Sequence, residues 1–551
     1  MKVSVFNIFF LYLLIAIAIV VPLFPDVVAE PILLGEDGVE LATDFDNGWL
    51  ARVEESDENV FECWPYDSEH YRWGWLYLKS KIYHNKYDHT GFCFHFKLTG
   101  CKDKIITFNF HVKDKQDEDN DSVLYANPDF PVFSYDADTW VRTNTKEVAA
   151  DPDSIGWYIV TVEQEFTEDT VYVAFQYPYT NTHLDKFISH IAQSPFCTVE
   201  IAGQSTEGRN IRQITVTNPD ITLNEKLVAW VFGLQHVSEL GSGWGIQYMI
   251  DFLLTDDPLA RKIRDTYEMK FIPIVNVDSV HEGMGRQHTS GNNLNRLWET
   301  DHVETIPEID SIRYTLDYWV YQKKPIDLFL DIHGFSAKDG YWTLLMPEEV
   351  YSSSLSDHYK DFVSIFRRHI SHSDPGLLSI PGLSCNAGLR RYGAVSFCID
   401  GYAYDFRSSK NSDISSYYEL DERIWPIEEL KACSKTYMAI LGEYADKLLT
   451  ETDIRQTPTP LSILFPNYPN PFNNETAIRY LVSEQTPVNI NIHNITGQLV
   501  RTLENDPASP GYHDTVWDGH DNSGRLLESG VYFATFSTGS FTTTRKLLFL
   551  K

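Results

Sequence analysis

The sequence has no Cys-x-x-Cys pair, which argues against a thiolate metal site. It has no basic excess either. Lys and Arg number 45 against 78 Asp and Glu, a formal net charge of −33 at pH 7. Without a basic field there is nothing to displace counterions from phosphates, which argues against nucleic acid as a partner. After residue 21 no apolar run reaches the roughly 20 residues of a spanning helix, so no transmembrane anchor is expected. No cysteine lies in the first 29 residues, which excludes a bacterial lipoprotein anchor. Internal repeats and long low-complexity tracts are missing as well. The seven cysteines are an odd number, so at least one thiol is unpaired, and the sequence leaves any pairing open.

What is present is a chain of 551 residues, 43% hydrophobic and 14% aromatic, enough for about three domains. The acidity fits a secreted or salt-exposed protein. Lys2, the apolar run Phe6 to Val21, the breaks at Pro22 and Pro25, and Ala29 before Glu30 form a signal-peptide pattern over residues 1–29.

Residues 30–188 alternate apolar and polar positions in segments such as ITFNFHV and TVYVAFQYPY, which predicts an N-terminal β-sandwich. A helix-like stretch, Leu184 to Ala192, follows Tyr177-Pro178-Tyr179-Thr180. Over 189–450 strand-like runs (LVAWVFGL, FIPIVNV, IDLFLDI, AVSFCI) alternate with helical ones, among them Ile246, Met249, Ile250, Leu253 and Leu254, and a second at Tyr359 to Ile370. This predicts a central α/β domain with a mixed sheet flanked by helices. Residues 451–462 read as a linker. Residues 463–551 return to β patterning with tight turns and predict an Ig-like β-sandwich.

In α/β sheets functional groups gather beyond the carboxyl ends of strands. Two strand-like runs end in histidine there. Val228 to Glu239 presents His236 and Glu239, and Ile326 to Gly334 presents His333. Two imidazoles and a carboxylate, with a fourth position open, make a zinc site suited to catalysis.

The surroundings carry a resemblance. Gly203 to Ile211 reads GQSTEGRNI, and Glu282 to Trp298 reads EGMGRQHTSGNNLNRLW. With the His-x-x-Glu pair, the Asp-x-His-Gly strand end and the YPYT stretch, this resembles the zinc carboxypeptidases of the carboxypeptidase A type, and within them the cytosolic carboxypeptidase branch. The resemblance covers roughly residues 100 to 440. It implies a metallocarboxypeptidase fold and one zinc ion on His236, Glu239 and His333. It implies that Arg286, Asn295 and Arg296 grip the terminal carboxylate of a peptide or protein substrate and polarise its scissile carbonyl, and that Arg209 contacts the substrate. These are groups the chemistry asks for, because a carboxylate suits a bidentate guanidinium and a developing oxyanion suits a fixed cation.

Two positions depart from that pattern. Ser396 to Asp400 stands where the family has S-Y-T-M-E, so the general base is Asp400, one methylene shorter than glutamate. Asn293 stands where an aspartate orients the first zinc histidine, and an amide raises imidazole basicity less. Two readings follow: a zinc-dependent carboxypeptidase with Asp400 and Arg296 as catalytic residues, or a zinc- or peptide-binding homologue that has lost turnover. A third reading, a surface adhesin, fits the flanking domains and leaves the central motifs unused. Arg390 and Arg391 are candidates for acidic side chains of the substrate or plain surface arginines. Asp405 is a weaker base candidate.

The C-terminal block carries FPNYPNPFN from Phe465, then Trp517-Asp518-Gly519, Ser529-Gly530-Val531-Tyr532 and a basic end at Arg545-Lys546. It resembles the type IX secretion sorting domain of Bacteroidetes-like bacteria. That resemblance implies the type IX secretion machinery as a partner. It also implies export through the periplasm, to the medium or the cell surface of a Gram-negative bacterium.

Overall fold

The structure is a computed structural model. It describes residues 32–34, 38–46, 48, 50, 52–64, 94–113, 131–143, 145–152, 157–237, 239–283, 288–299, 306–322, 324–334, 341–370, 373–378, 383–402, 427–450, 462–465, 467, 469–482, 484–539 and 541–551. The leader at 1–29, most of the 451–462 linker, Arg286 and Asp405 lie outside them.

The N-terminal region is built from two sheets. One has the order β1 (Ile32–Leu34), β2 (Val39–Ala42), β5 (His95–Thr99), β11 (Val171–Ala174), β7 (Val132–Ser134), β8 (Val141–Arg142). The other runs β3 (Arg52–Asp57), β4 (Val60–Trp64), β6 (Lys104–Lys113), β10 (Trp157–Phe166), β9 (Thr145–Ala150). The period-two pattern works as expected. Phe108 and Phe110 of β6 pair with Val162 and Val160 of β10, and all four point into one core with Phe94, Phe96 and Val173.

The YPYT stretch seats this region on the central domain. Tyr179 is fully buried, and a Cβ on Gly243 would come within 2.5 Å of its ring, so only glycine allows the approach. The Trp244 indole N–H donates to the Tyr177 carbonyl at 3.1 Å. Thr180 caps helix α1 (Asn181–Ile191), its hydroxyl accepting the His183 N–H at 3.0 Å.

The central domain is one eight-stranded mixed sheet. Its order is β12 (Cys197–Gln204), β13 (Asn210–Val216), β15 (Tyr267–Ile272), β14 (Leu227–Gly233), β16 (Leu328–Ile332), β19 (Val395–Tyr402), β17 (Tyr341–Pro347), β18 (Ser373–Leu378). Strands β15, β14, β16 and β19 run parallel, and every side chain of β14 and β16 is buried. Helices α2 (Gly241–Leu253), α3 (Pro258–Thr266), α4 (Val277–His281), α5 (Pro307–Tyr321), α6 (Ser356–His369), α7 (Ser384–Tyr392) and α8 (Ile427–Thr450) complete the domain. Among the described residues no helix is long and apolar enough to cross a membrane.

The first His-bearing strand ends earlier than the apolar run suggests. β14 stops at Gly233, and Leu234 takes φ +47°. A leucine in the left-handed region costs about 1–2 kcal/mol. The turn is held from both sides: Leu234 N–H donates to the Ser242 hydroxyl, and its carbonyl accepts the Asn276 N–H. The consequence is that the chain leaves the sheet after Gly233, and residues 234–237 form a loop at its end.

The C-terminal region also has two sheets. These are β20 (Ile463–Leu464), β21 (Thr476–Val482), β25 (Gly511–Trp517), and β23 (Leu499–Glu504), β22 (Thr486–Asn494), β26 (Gly530–Thr538), β27 (Phe541–Phe549), with β24 (Pro507–Ala508) beside β22. Trp517, Phe472, Phe536 and Phe549 lie at the core between them.

Candidate metal centre and active site

His236 and Glu239 come from the loop after β14, His333 from the end of the adjacent parallel strand β16. Parallel pairing puts both strand ends at one edge, so residues 97 apart in sequence become neighbours. His236 Nδ1 lies 3.1 Å from His333 Nδ1. One Glu239 oxygen is 2.9 Å from His236 Nδ1 and the other 2.9 Å from His333 Nδ1. Ligand atoms bonded at about 2 Å to one tetrahedral ion stand roughly 3.3 Å apart, so the spacing fits a zinc ion. The donor set fits too. Two imidazoles and the Glu239 carboxylate meet there, with buried Asp331 behind His333, so the place asks for positive charge. Burial alone would raise the pKa of Glu239. The flanking histidines outweigh it and hold the carboxyl well below its ordinary range. Burial likewise opposes charge on His333, yet Asp331 and Glu239 push its pKa well above the usual value.

The far ring nitrogens are held as a zinc ligand requires. His236 Nε2–H donates to Asn293 Oδ1 at 3.0 Å. His333 Nε2 faces Asp331 Oδ2 at 2.8 Å. Asp331 is completely buried. Its Oδ2 also accepts from Gln235 Nε2 at 2.6 Å and from the Ser384 hydroxyl, while its Oδ1 has no hydrogen-bond partner among the described residues. Burial works to raise its pKa, and His333, Ser384 and Gln235 together bring it below the usual carboxylate value.

Asp400 sits on β19 beside this edge. Its Oδ1 accepts the Gly334 N–H at 3.0 Å, and a Cβ on Gly334 would lie 2.4 Å from the Gly401 carbonyl. The glycine after His333 is what lets β19 bring Asp400 so close.

Asn295, Arg296, Arg209, Arg390 and Arg391 all have partners within the chain. Asn295 is buried, its Nδ2 is 2.7 Å from His333 Nε2, and its Oδ1 accepts the Ser384 N–H at 2.8 Å. The side chain therefore touches both His333 and Ser384. Arg296 Nη1 donates to the Asn295 carbonyl at 2.8 Å. Arg209 Nη1 donates to Asp278 at 2.8 Å and to Glu207 at 2.5 Å. Arg391 makes a two-pronged pair with Asp317, and Arg390 pairs with Glu299 and Glu349, so neither is an unpaired cation. Local sequence gave no sign of Gln235, Ser384 or Cys398, although all three contact Asp331.

Beside Arg209 a second buried network forms. Asp278 accepts from the Ser205 hydroxyl at 2.6 Å, the Glu207 N–H and Arg209. Burial would raise its pKa, but these bonds outweigh it and lower it. A carboxyl depressed on folding contributes fully above its unfolded pKa of about 4 and loses that contribution as pH falls through the folded value. Asp278→Asn is therefore expected to lower Tm at pH 7 and to flatten the further fall of Tm below about pH 4. Melts across a pH series check it, and parallel curves for the two proteins would refute it.

Comparison with known proteins agrees with this geometry. The family model "Zinc carboxypeptidase" matches residues 184–369, and "FlgD Ig-like domain" matches 473–540. Cytosolic carboxypeptidase 2 of Homo sapiens is 30% identical over 186 residues, 32% of this chain and 20% of that protein. Cytosolic carboxypeptidase 2 of Danio rerio is 25% identical over 359 residues, 58% of this chain and 48% of that one. The chain thus spans a fifth to a half of the length of these relatives. A metallo-carboxypeptidase from Burkholderia cenocepacia shares the fold at TM-score 0.56 and 19% identity, over 74% of this chain and all of that one. A carboxypeptidase structure from Burkholderia mallei gives TM-score 0.53 at 20% identity, over 74% of this chain and 97% of that one. With the family match lying over the loop of His236 and Glu239 and the strand of His333, residues 184–369 carry a zinc carboxypeptidase domain.

Proposed function

We propose that this chain is a secreted metallocarboxypeptidase that hydrolyses the C-terminal peptide bond of peptides or proteins. The observation that carries the reading is the meeting of His236 Nδ1, His333 Nδ1 and the Glu239 carboxylate within 3.1 Å of one another. When bound, zinc supplies Lewis acidity toward the scissile carbonyl and the attacking water. The chain's own residues do the rest. Asn293 and Asp331 keep the two rings turned toward the ion. Asp400 takes a proton from the attacking water and delivers it to the leaving amine. Arg296 and Arg286 bind the terminal carboxylate and the developing oxyanion, and Arg209 contacts the substrate further along. Asn295 is assigned to the same terminal carboxylate, as the resemblance implies.

A second reading, a zinc- or peptide-binding homologue without turnover, is favoured by the short reach of Asp400 and its bond to the Gly334 N–H. The full chain, assayed for zinc and against peptides ending in acidic, basic and apolar residues, separates the two. The hydrolase reading expects turnover that is lost on chelation and returns with zinc. An inert wild type that retains zinc, with an active Asp400→Glu variant, would replace it by the binding reading.

Export belongs to the same proposal. It is supported by the Phe6 to Val21 leader pattern and by the sorting-domain order of NYPNPFN, WDG and SGVY. The C-terminal block would then be the part read by type IX machinery. Fractionating producing cells with and without residues 463–551 tests this. Equal amounts outside the cell in both would remove the sorting reading.

A further inference from the structure

The C-terminal region lies directly on helix α5. Tyr314, Tyr318 and Tyr321, at helical spacing, line the outer face of that helix. Phe465 packs edge-on against Tyr314 at 4.7 Å between ring centres. Tyr512, at the start of β25, meets Tyr321 at 4.8 Å and Tyr318 at 5.5 Å. Phe465 and Leu481 are almost wholly buried in this cluster. An ion pair closes its edge, Arg545 to Asp310 at 3.5 Å.

The flank of the same helix beside the tyrosines, together with its first turn, reaches the loop that carries Arg209. Glu308 is completely buried; its carboxylate accepts from the Thr206 N–H and hydroxyl at 3.2 and 3.1 Å and lies 3.0 Å from His288 Nε2. The Thr315 hydroxyl donates to the Ala202 carbonyl at 2.9 Å, and Ser311 donates to that of Gln204. A Cβ on Gly203 would lie 2.1 Å from Ser311 Cβ, so β12 is pressed against the helix. The loop that follows β12 is the one that carries Arg209.

We propose that the C-terminal domain is a clamp: docked on the tyrosine face of α5, it holds the helix against the Ser205–Arg209 loop and so keeps Arg209 in place. Its occupant is residues 462–551 of the same chain. Two aromatic anchors and one ion pair make a small contact, and the covalent connection supplies the local concentration that keeps it formed. The effect on substrate rests on the carboxypeptidase reading; the effect on the helix does not.

The test is hydrogen exchange on the full chain and on full-length Tyr512→Arg, which puts a cation among the tyrosines. Exchange is expected to rise at least about fivefold in peptides covering 200–210 and 307–322, with 227–233 and the zinc content unchanged. Where peptides are turned over, KM is expected to rise severalfold at constant kcat. Unchanged exchange in both segments overturns the clamp. Asp310→Lys attacks the same contact from the helix side, so a variant that disturbs its own domain does not decide the matter. Protection of the wild type that falls on dilution, with a dimer at high concentration, assigns the face to a second copy and also overturns it. A wild type without turnover would sink the carboxypeptidase reading while leaving the exchange result to judge the clamp.

Discussion

His333→Ala is expected to leave the chain without retained zinc and without turnover, the largest functional loss any single change should cause. The ring supplies one of three ligand atoms, and His236 and Glu239 alone form an incomplete site. Removing a group that only orients a ligand costs 10- to 100-fold in affinity or activity, so removing the ligand itself should exceed about 100-fold. A second reading follows from linkage. Zinc at about a thousand times its Kd stabilises the folded wild type by ~4 kcal/mol, which for a domain of this size is roughly 10 °C in Tm. The variant should melt at the same temperature with zinc as with chelator. Zinc content by elemental analysis and paired melts check both. A variant that keeps zinc at wild-type stoichiometry would show that the ion sits elsewhere.

The parts of this site legible in the sequence are those that local pattern constrains. A buried parallel strand must end where its apolar run ends, and a polar His-x-x-Glu or a His-Gly just past that end has to stand at the sheet's edge. That pattern places His236, Glu239 and His333 at the sheet's edge. The strand boundary at Gly233 was less legible, because Leu234, Val237 and Leu240 are also buried: the loop goes on being apolar after it leaves the sheet. Side-chain partnerships across the chain were the least legible. The resemblance makes Asn295 a substrate group, but its bond to Ser384, 89 residues away, has no local signal. Helix α7, which brings Ser384 in, has no long apolar stripe to announce it and packs with small residues, Gly388 lying against Ser396 and Phe329. The partners of Arg209 and Arg391, Asp278 and Asp317, reach them only through the fold.

Asp331→Ala is expected to cost more stability than any other single change at the site. The carboxylate is the common acceptor of Gln235, Ser384 and His333, all buried. Cutting it back to a methyl group strands three donors in a place closed to water, at about 1–3 kcal/mol for each buried group left unmade. The losses overlap, and removal of one member of a buried ionic set typically totals ~3–5 kcal/mol. That corresponds to a fall of roughly 10 °C in Tm. Zinc affinity should drop 10- to 100-fold at the same time, because His333 loses the partner that fixes its tautomer. Asp331→Asn separates the two effects. It keeps the volume and one acceptor oxygen, so most of the stability should remain while the ring of His333 loses its anionic support. Calorimetry and zinc titration of both variants check this. If Asp331→Ala melted within about 1 °C of wild type, the hub would carry little of the domain's stability, and the orphaned Oδ1 would mark a carboxylate kept for the metal alone.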